Sequence, residues 1–144
     1  MSPQKKLNVL IVDESRSMLI NLKEILKNQF SCEEIVLCKD GEEAWEKIQK
    51  TDFDLILSDS VIPRMSGEEL LCNVRENEKT KRIPFLIISK KKDKESVLSA
   101  ISAGATGYMI KPFGENDIVK KIEDILHIRA KSGGIVELKT LPSY

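Results

Sequence analysis

Five side chains of this sequence could do chemistry together, although they are scattered from position 13 to position 111. Asp13 and Glu14 follow the apolar run Leu7-Asn8-Val9-Leu10-Ile11-Val12, and Asp59 follows the run from Phe53 to Ser58. Ser89 ends a further run that begins at Ile83, and Lys111 stands before Pro112, just past Thr106 to Ile110. Three clustered carboxylates repel one another, which raises their pKa values unless a cation relieves the repulsion. Magnesium suits that role, being hard, oxygen-seeking and bound by one or two carboxylates with phosphate oxygens and waters. A carboxylate can also act as a nucleophile and form an aspartyl phosphate. The transferring group then needs its charge neutralised, by the metal and an ammonium, and its oxygens positioned, which a hydroxyl assists.

These residues meet only if the chain brings its strand ends to one edge. Apolar runs alternate with helical patterns in the way that requires. Strands are predicted over 7–12, 34–38, 53–58, 83–89 and 106–110. The first, third and fourth are nearly continuous apolar runs, as expected of strands buried on both faces of a parallel sheet. Between them, Met18, Leu19, Leu22, Ile25 and Leu26 share one helix face over 15–29. Asp40 caps a helix carrying Ala44, Trp45 and Ile48, and Ser66 with Glu69 forms a capping box for a helix through Asn77. Helices over 93–103 and 115–131 complete the pattern. Met18 and Trp45 are read as core, His127 as structural, and Asp54, at the start of its strand, as structural. The result is an α/β fold with helices on both faces, and such sheets bind ligands at the carboxyl ends of their strands.

A chain of 144 residues has the size of one domain. Its 23 basic and 23 acidic residues cancel, which removes the basic excess expected of a duplex-binding protein. No apolar run approaches the ~20 residues of a membrane span, and the amino-terminal residues make a poor signal peptide, so the chain is read as cytoplasmic. Cys32, Cys38 and Cys72 fit no zinc spacing and are read as reduced, mostly buried side chains.

The segments Val9-Leu10-Ile11-Val12-Asp13-Glu14, Asp54-Leu55-Ile56-Leu57-Ser58-Asp59, Ile62-Pro63, Ser66-Gly67 and Gly104-Ala105-Thr106-Gly107-Tyr108-Met109-Ile110-Lys111-Pro112-Phe113 resemble the receiver domain of two-component response regulators. The resemblance, of the chemotaxis-regulator-like kind, covers about residues 7–129. It implies a flavodoxin-like, doubly wound, five-stranded parallel sheet in the order 2-1-3-4-5. The receiver domain would span 5–131, with 132–144 a tail or the stump of a linker. The resemblance further implies that a sensor histidine kinase or histidine phosphotransfer protein donates a phosphoryl group to Asp59. Asp13, Glu14, Asp59 and the backbone carbonyl of Val61 would surround Mg2+, and Ser89 and Lys111 would contact the phosphoryl group. The Lys111–Pro112 bond would be cis. Ser89 and Tyr108 would shift together on activation and alter the face of the fourth helix, fifth strand and fifth helix. That face would control an unknown output partner or pair two copies as a homodimer. Such a protein is a signalling switch with weak self-phosphorylation and self-dephosphorylation, not a metabolic enzyme, and binds neither nucleic acid nor membrane.

Three positions depart from the family's habit. Glu14 replaces the commoner aspartate, Lys90 follows Ser89 where a small residue is usual, and Val61 is apolar at a position that tunes the phosphoryl lifetime. The Lys90-Lys91-Lys92 run with Lys94 is either a solvated loop or a partner-facing surface. Two other readings compete. A flavodoxin-like enzyme or nucleotide binder lacks support, since neither G-x-G-x-x-G nor G-x-x-x-x-G-K-[ST] occurs. A degenerate receiver acting only as a protein-interaction module draws on Lys90.

Overall fold

The structure, a computed structural model, describes residues 5–131. The tail at 132–144, read from sequence as linker or stump, lies outside the described residues. Five strands and five helices alternate: β1 Leu7–Val12, α1 Arg16–Gln29, β2 Cys32–Cys38, α2 Gly41–Lys50, β3 Leu55–Ser58, α3 Gly67–Glu76, β4 Phe85–Ser89, α4 Lys94–Ser102, β5 Gly107–Ile110 and α5 Glu115–Leu126. The strands pair in parallel in the order β2-β1-β3-β4-β5.

The period of two along each strand divides the core into two layers. Val9, Ile11, Leu55, Leu57, Leu86 and Ile88 face α1 and α5 through Leu19, Leu22, Leu26, Ile118 and Ile122. Leu10, Val12, Ile56, Phe85 and Ile87 face α2, α3 and α4 through Ala44, Ile48, Leu70, Leu71, Val74 and Ala100. Enclosing each large aliphatic or aromatic side chain contributes about 1.5–3 kcal/mol. Met18 and Trp45 are only half-buried and flank these layers, because each lies at the rim of its helix's apolar stripe.

The helix starts are set by side-chain caps. Ser15, Asp40, Ser66 and Asp93 each accept a hydrogen bond from the main-chain N–H three residues on, and Glu69 returns the bond to Ser66. Several strand starts differ from the sequence expectation for identifiable reasons. β3 begins at Leu55 because Asp54 is occupied elsewhere: its N–H donates to the Asn8 carbonyl at 2.7 Å, and its carboxylate accepts from Asn8 N at 2.8 Å and Lys5 Nζ at 2.6 Å. β4 begins at Phe85, since Pro84 has no N–H and the Ile83 carbonyl accepts from Arg75 at 2.7 Å. β5 begins at Gly107, and Thr106 spends its hydroxyl on the Phe85 N–H at 2.9 Å. β2 starts earlier, at Cys32, across a shift of register beside Leu7.

α5 ends at Leu126, not at Lys131. His127 enters the left-handed region at φ 57, and the N–H groups of His127 and Ile128 both turn to the Glu123 carbonyl. The chain then folds back: Ala130 donates its N–H to Glu123 Oε2 at 2.8 Å and is buried against the first layer. The thiols are free, with Cys38 buried and Cys32 half-buried, but Cys72 lies on the exposed side of α3. No helix among the described residues is long and apolar enough to cross a membrane.

Candidate functional site

At the carboxyl edge of the sheet, the main chain past each strand end is held by the neighbouring strand. Asp13 N donates to Cys38 O at 3.1 Å, Asp59 N to Val12 O at 2.9 Å, and Lys111 N to Ser89 O at 2.8 Å. The Lys111–Pro112 peptide is cis. α3 presses on the same edge: Gly67 N donates to Ser60 O at 3.0 Å, and a Cβ at Gly67 would collide with the Asp59 carbonyl oxygen and Ser60 Cα.

The topology brings Asp13, Asp59 and Lys111 together. Lys111 Nζ donates to Asp13 Oδ2 and to Asp59 Oδ2, each at 2.8 Å. The remaining oxygens are also engaged, Asp13 Oδ1 by Ser15 N at 2.9 Å and Asp59 Oδ1 by Val61 N at 3.2 Å. Burial alone would lower the Lys111 pKa, but the hydrogen bonds and charges of Asp13 and Asp59 outweigh it and raise the value above that of an ordinary lysine. The ammonium is therefore firmly charged, a fixed cation between two carboxylates. Buried ion pairs return little net stability for their desolvation, so this arrangement reads as chemical equipment.

Glu14 stands apart, exposed at the rim. No three His, Cys, Asp or Glu side chains form a metal-holding group among the described residues. The donor set still suits a hard divalent ion by chemistry. Two carboxylates already converge on one cation, and Glu14, the next residue after Asp13, can add a third by turning inward. Three carboxylates against one ammonium leave two negative charges uncompensated, which one divalent cation balances. Val61, whose carbonyl is the expected fourth donor, is 57% exposed.

Ser89 sits at the end of β4, wholly enclosed, and its hydroxyl is bonded to neither Asp59 nor the Lys111 ammonium. Its Oγ lies 2.6 Å from Ser60 Oγ and accepts from Lys91 N at 3.0 Å. Tyr108 in turn donates its hydroxyl to Lys91 O at 2.6 Å. Ser89 and Tyr108 are thus linked through one residue, Lys91. Lys90 and the following lysines are exposed.

Two residues escape a reading by sequence, Ser60 at this edge and Arg75 at the opposite, amino edge of the sheet. Ser60 meets Ser89 across a separation of 29 residues, and its only local signal is a polar side chain directly after Asp59. Arg75 on α3 donates to the carbonyls of Gly104 at 2.9 Å, Lys81 at 3.0 Å and Ile83 at 2.7 Å, and to Thr106 Oγ1 at 3.3 Å. It fixes the loops before β4 and β5. Its signal in the sequence is a lone cation on the buried flank of an amphipathic helix.

Comparison with known proteins agrees with this fold. The family model of the response regulator receiver domain matches residues 9–123. Chemotaxis protein CheY-3 of Vibrio cholerae is 32% identical over 121 residues, covering 84% of this chain and 92% of that protein. The solved structure of the chemotaxis response regulator CheY4 of Vibrio cholerae superposes with a TM-score of 0.78 at 32% identity, over 85% of this chain and all of the other. The receiver domain of the sensor histidine kinase PA1611 from Pseudomonas aeruginosa, solved with a magnesium ion in its active site cleft, shares the fold at TM-score 0.75 and 19% identity, over 85% of this chain and 99% of its own. With the family model, the relatives and the strand order in agreement, this chain belongs to the response regulator receiver domains and is similar to the chemotaxis regulators among them.

Proposed function

We propose that Asp59 is a phosphoacceptor and that residues 5–131 form the receiver unit of a phosphorelay. The observation that carries this is the Asp13–Lys111–Asp59 cluster: a nearly enclosed carboxylate with a fixed ammonium 2.8 Å away. In the transfer, an Asp59 carboxylate oxygen attacks phosphorus and the bond from phosphorus to the donor's histidine nitrogen breaks. The electron pair leaves with the imidazole. Lys111 faces the developing charge on the phosphoryl oxygens, and Ser89, once turned inward, donates its hydroxyl to one of them. Asp13, Asp59, Glu14 and the Val61 carbonyl would hold Mg2+, which neutralises the phosphoryl group's charge and aligns it when bound. The ion in the PA1611 receiver domain supports that assignment.

A sensor histidine kinase or histidine phosphotransfer protein is the donor by this reading. The output face is α4, β5 and α5, where Leu98, Ile101 and Ile110 are 52, 47 and 39% exposed. Apolar side chains grouped on one flank suit a protein partner, including a second copy of the chain.

Incubation with acetyl phosphate and magnesium should add one phosphoryl group, seen by intact-mass measurement, and chelation should abolish it. Asp59→Asn should take none. A wild-type chain that takes none from acetyl phosphate or a kinase, yet binds a partner, would leave it a phosphorylation-independent interaction module.

A further inference from the structure

We infer that Ser60 is a latch that holds the Ser89 hydroxyl away from the phosphoryl site in the resting protein. The inference rests on the phosphoacceptor reading of Asp59 and adds a positioning residue to it. A serine hydroxyl has one proton to donate and two lone pairs. One lone pair of Ser89 Oγ is taken by Lys91 N at 3.0 Å, and the 2.6 Å contact with Ser60 Oγ takes a further site. Ser89 is 0% and Ser60 9% exposed, so little water competes for either hydroxyl.

The main chain of Ser60 is fixed and does not follow if Ser89 moves. Its carbonyl is tied to Gly67 N at the start of α3, and its Cα lies against Gly67 so closely that a Cβ there would not fit. Swinging the Ser89 hydroxyl toward a phosphoryl oxygen on Asp59 therefore breaks the bond to Ser60. That loss weighs against the active form only. The same movement is felt at Tyr108, because Lys91 donates to Ser89 through its N–H and accepts from Tyr108 at its carbonyl. The latch thus sets how much of the unphosphorylated protein visits the active arrangement.

The test is a titration with beryllofluoride and magnesium, followed by fluorine NMR, on the wild type and on Ser60→Ala, Ser60→Val and Ser60→Thr. Removing one neutral hydrogen bond from the resting state shifts the balance by about fivefold, the factor corresponding to about 1 kcal/mol. Ser60→Ala should bind about fivefold tighter. In proton–nitrogen spectra recorded without beryllofluoride, its Lys91 amide resonance should move toward the bound position. Ser60→Val, close in volume to threonine, should do the same, which keeps the test open if the alanine variant does not fold. Ser60→Thr, which keeps the hydroxyl, should bind like wild type. Alanine and valine variants that bind no tighter than wild type overturn the latch, as does a threonine variant as tight as both. A wild type with no affinity for beryllofluoride overturns the phosphoacceptor reading together with the latch.

Discussion

Lys111 Nζ lies 2.8 Å from Asp59 Oδ2, with the two side chains only 7 and 15% exposed. The same ammonium also bonds Asp13 Oδ2 at 2.8 Å, so it bridges the two carboxylates. Lys111→Met keeps the aliphatic stem but leaves two carboxylates facing each other with little water. Losing one partner of a buried pair costs about 3–5 kcal/mol. Urea melts of this variant should show a loss of that order, with part of it regained in millimolar magnesium. Asp59→Asn removes a negative charge and leaves Lys111 paired with Asp13, so its stability should stay within about 1 kcal/mol of wild type. Equal melts for Lys111→Met and wild type would refute the cluster's internal repulsion.

Arg75 should matter to stability more than an arginine on a helix ordinarily does. Its guanidinium satisfies three carbonyls and a hydroxyl, and burial lowers its pKa without a carboxylate to offset the effect. Arg75→Ala strands those acceptors, at about 1–3 kcal/mol for each one left buried. A total loss of about 3 kcal/mol or more is expected in denaturant melts. Gly104→Ala should also destabilise, since φ is +107 there and a Cβ would press on Arg75 Cγ at 3.0 Å. A near-neutral Arg75→Ala would mean that water replaces the guanidinium without cost.

Most of the fold was legible because it follows from local rules. Continuous apolar runs such as Phe85–Ser89 gave the buried strands, and Asp40 and Ser66 marked helix starts by cap chemistry. Asp13, Asp59 and Lys111 were legible because a parallel sheet gathers strand ends. What escaped depends on contacts between distant segments. Nothing near Leu126 announces that His127 will turn the chain so that Ala130 can dock, and nothing beside Asp59 tells that Ser60 faces Ser89. The exposure of Glu14 was equally hidden, because which side chain Lys111 chooses is decided in three dimensions.

Cys38 should make stability pH-dependent in the alkaline range. Burial, reinforced by Glu43 and only partly opposed by Lys47, pushes its thiol up to about 12 from an ordinary 9.0. Above the ordinary value the unfolded chain loses this proton while the folded chain keeps it. The contribution is complete below about pH 9 and is lost as pH rises toward about 12, at up to about 1.4 kcal/mol per pH unit. Cys38→Ala should flatten that slope in melts compared across the range. Near pH 8, a thiol reagent should label exposed Cys72 in the native protein and reach buried Cys38 only on unfolding. Equal native labelling of both would contradict the packing around β2.

If Asp59 is the phosphoacceptor as proposed, Val61 should bear on how long the phosphoryl group stays. It is two residues past Asp59, its N–H donates to Asp59 Oδ1 at 3.2 Å, and it is 57% exposed. Hydrolysis needs a water held in line with the oxygen–phosphorus bond, and an isopropyl group has no atom to hold it. Loss of phosphate should therefore be slow, with a half-life of minutes or longer once acetyl phosphate is removed. Val61→Gln supplies a donor and an acceptor at the same place. It should hasten release by about tenfold or more, since orienting a reacting group is worth far more than that at full effect. Release from Ser60→Ala should keep the wild-type rate if Ser60 acts only on Ser89 and not on the water. A wild-type half-life of seconds would show that some other group already orders the attacking water.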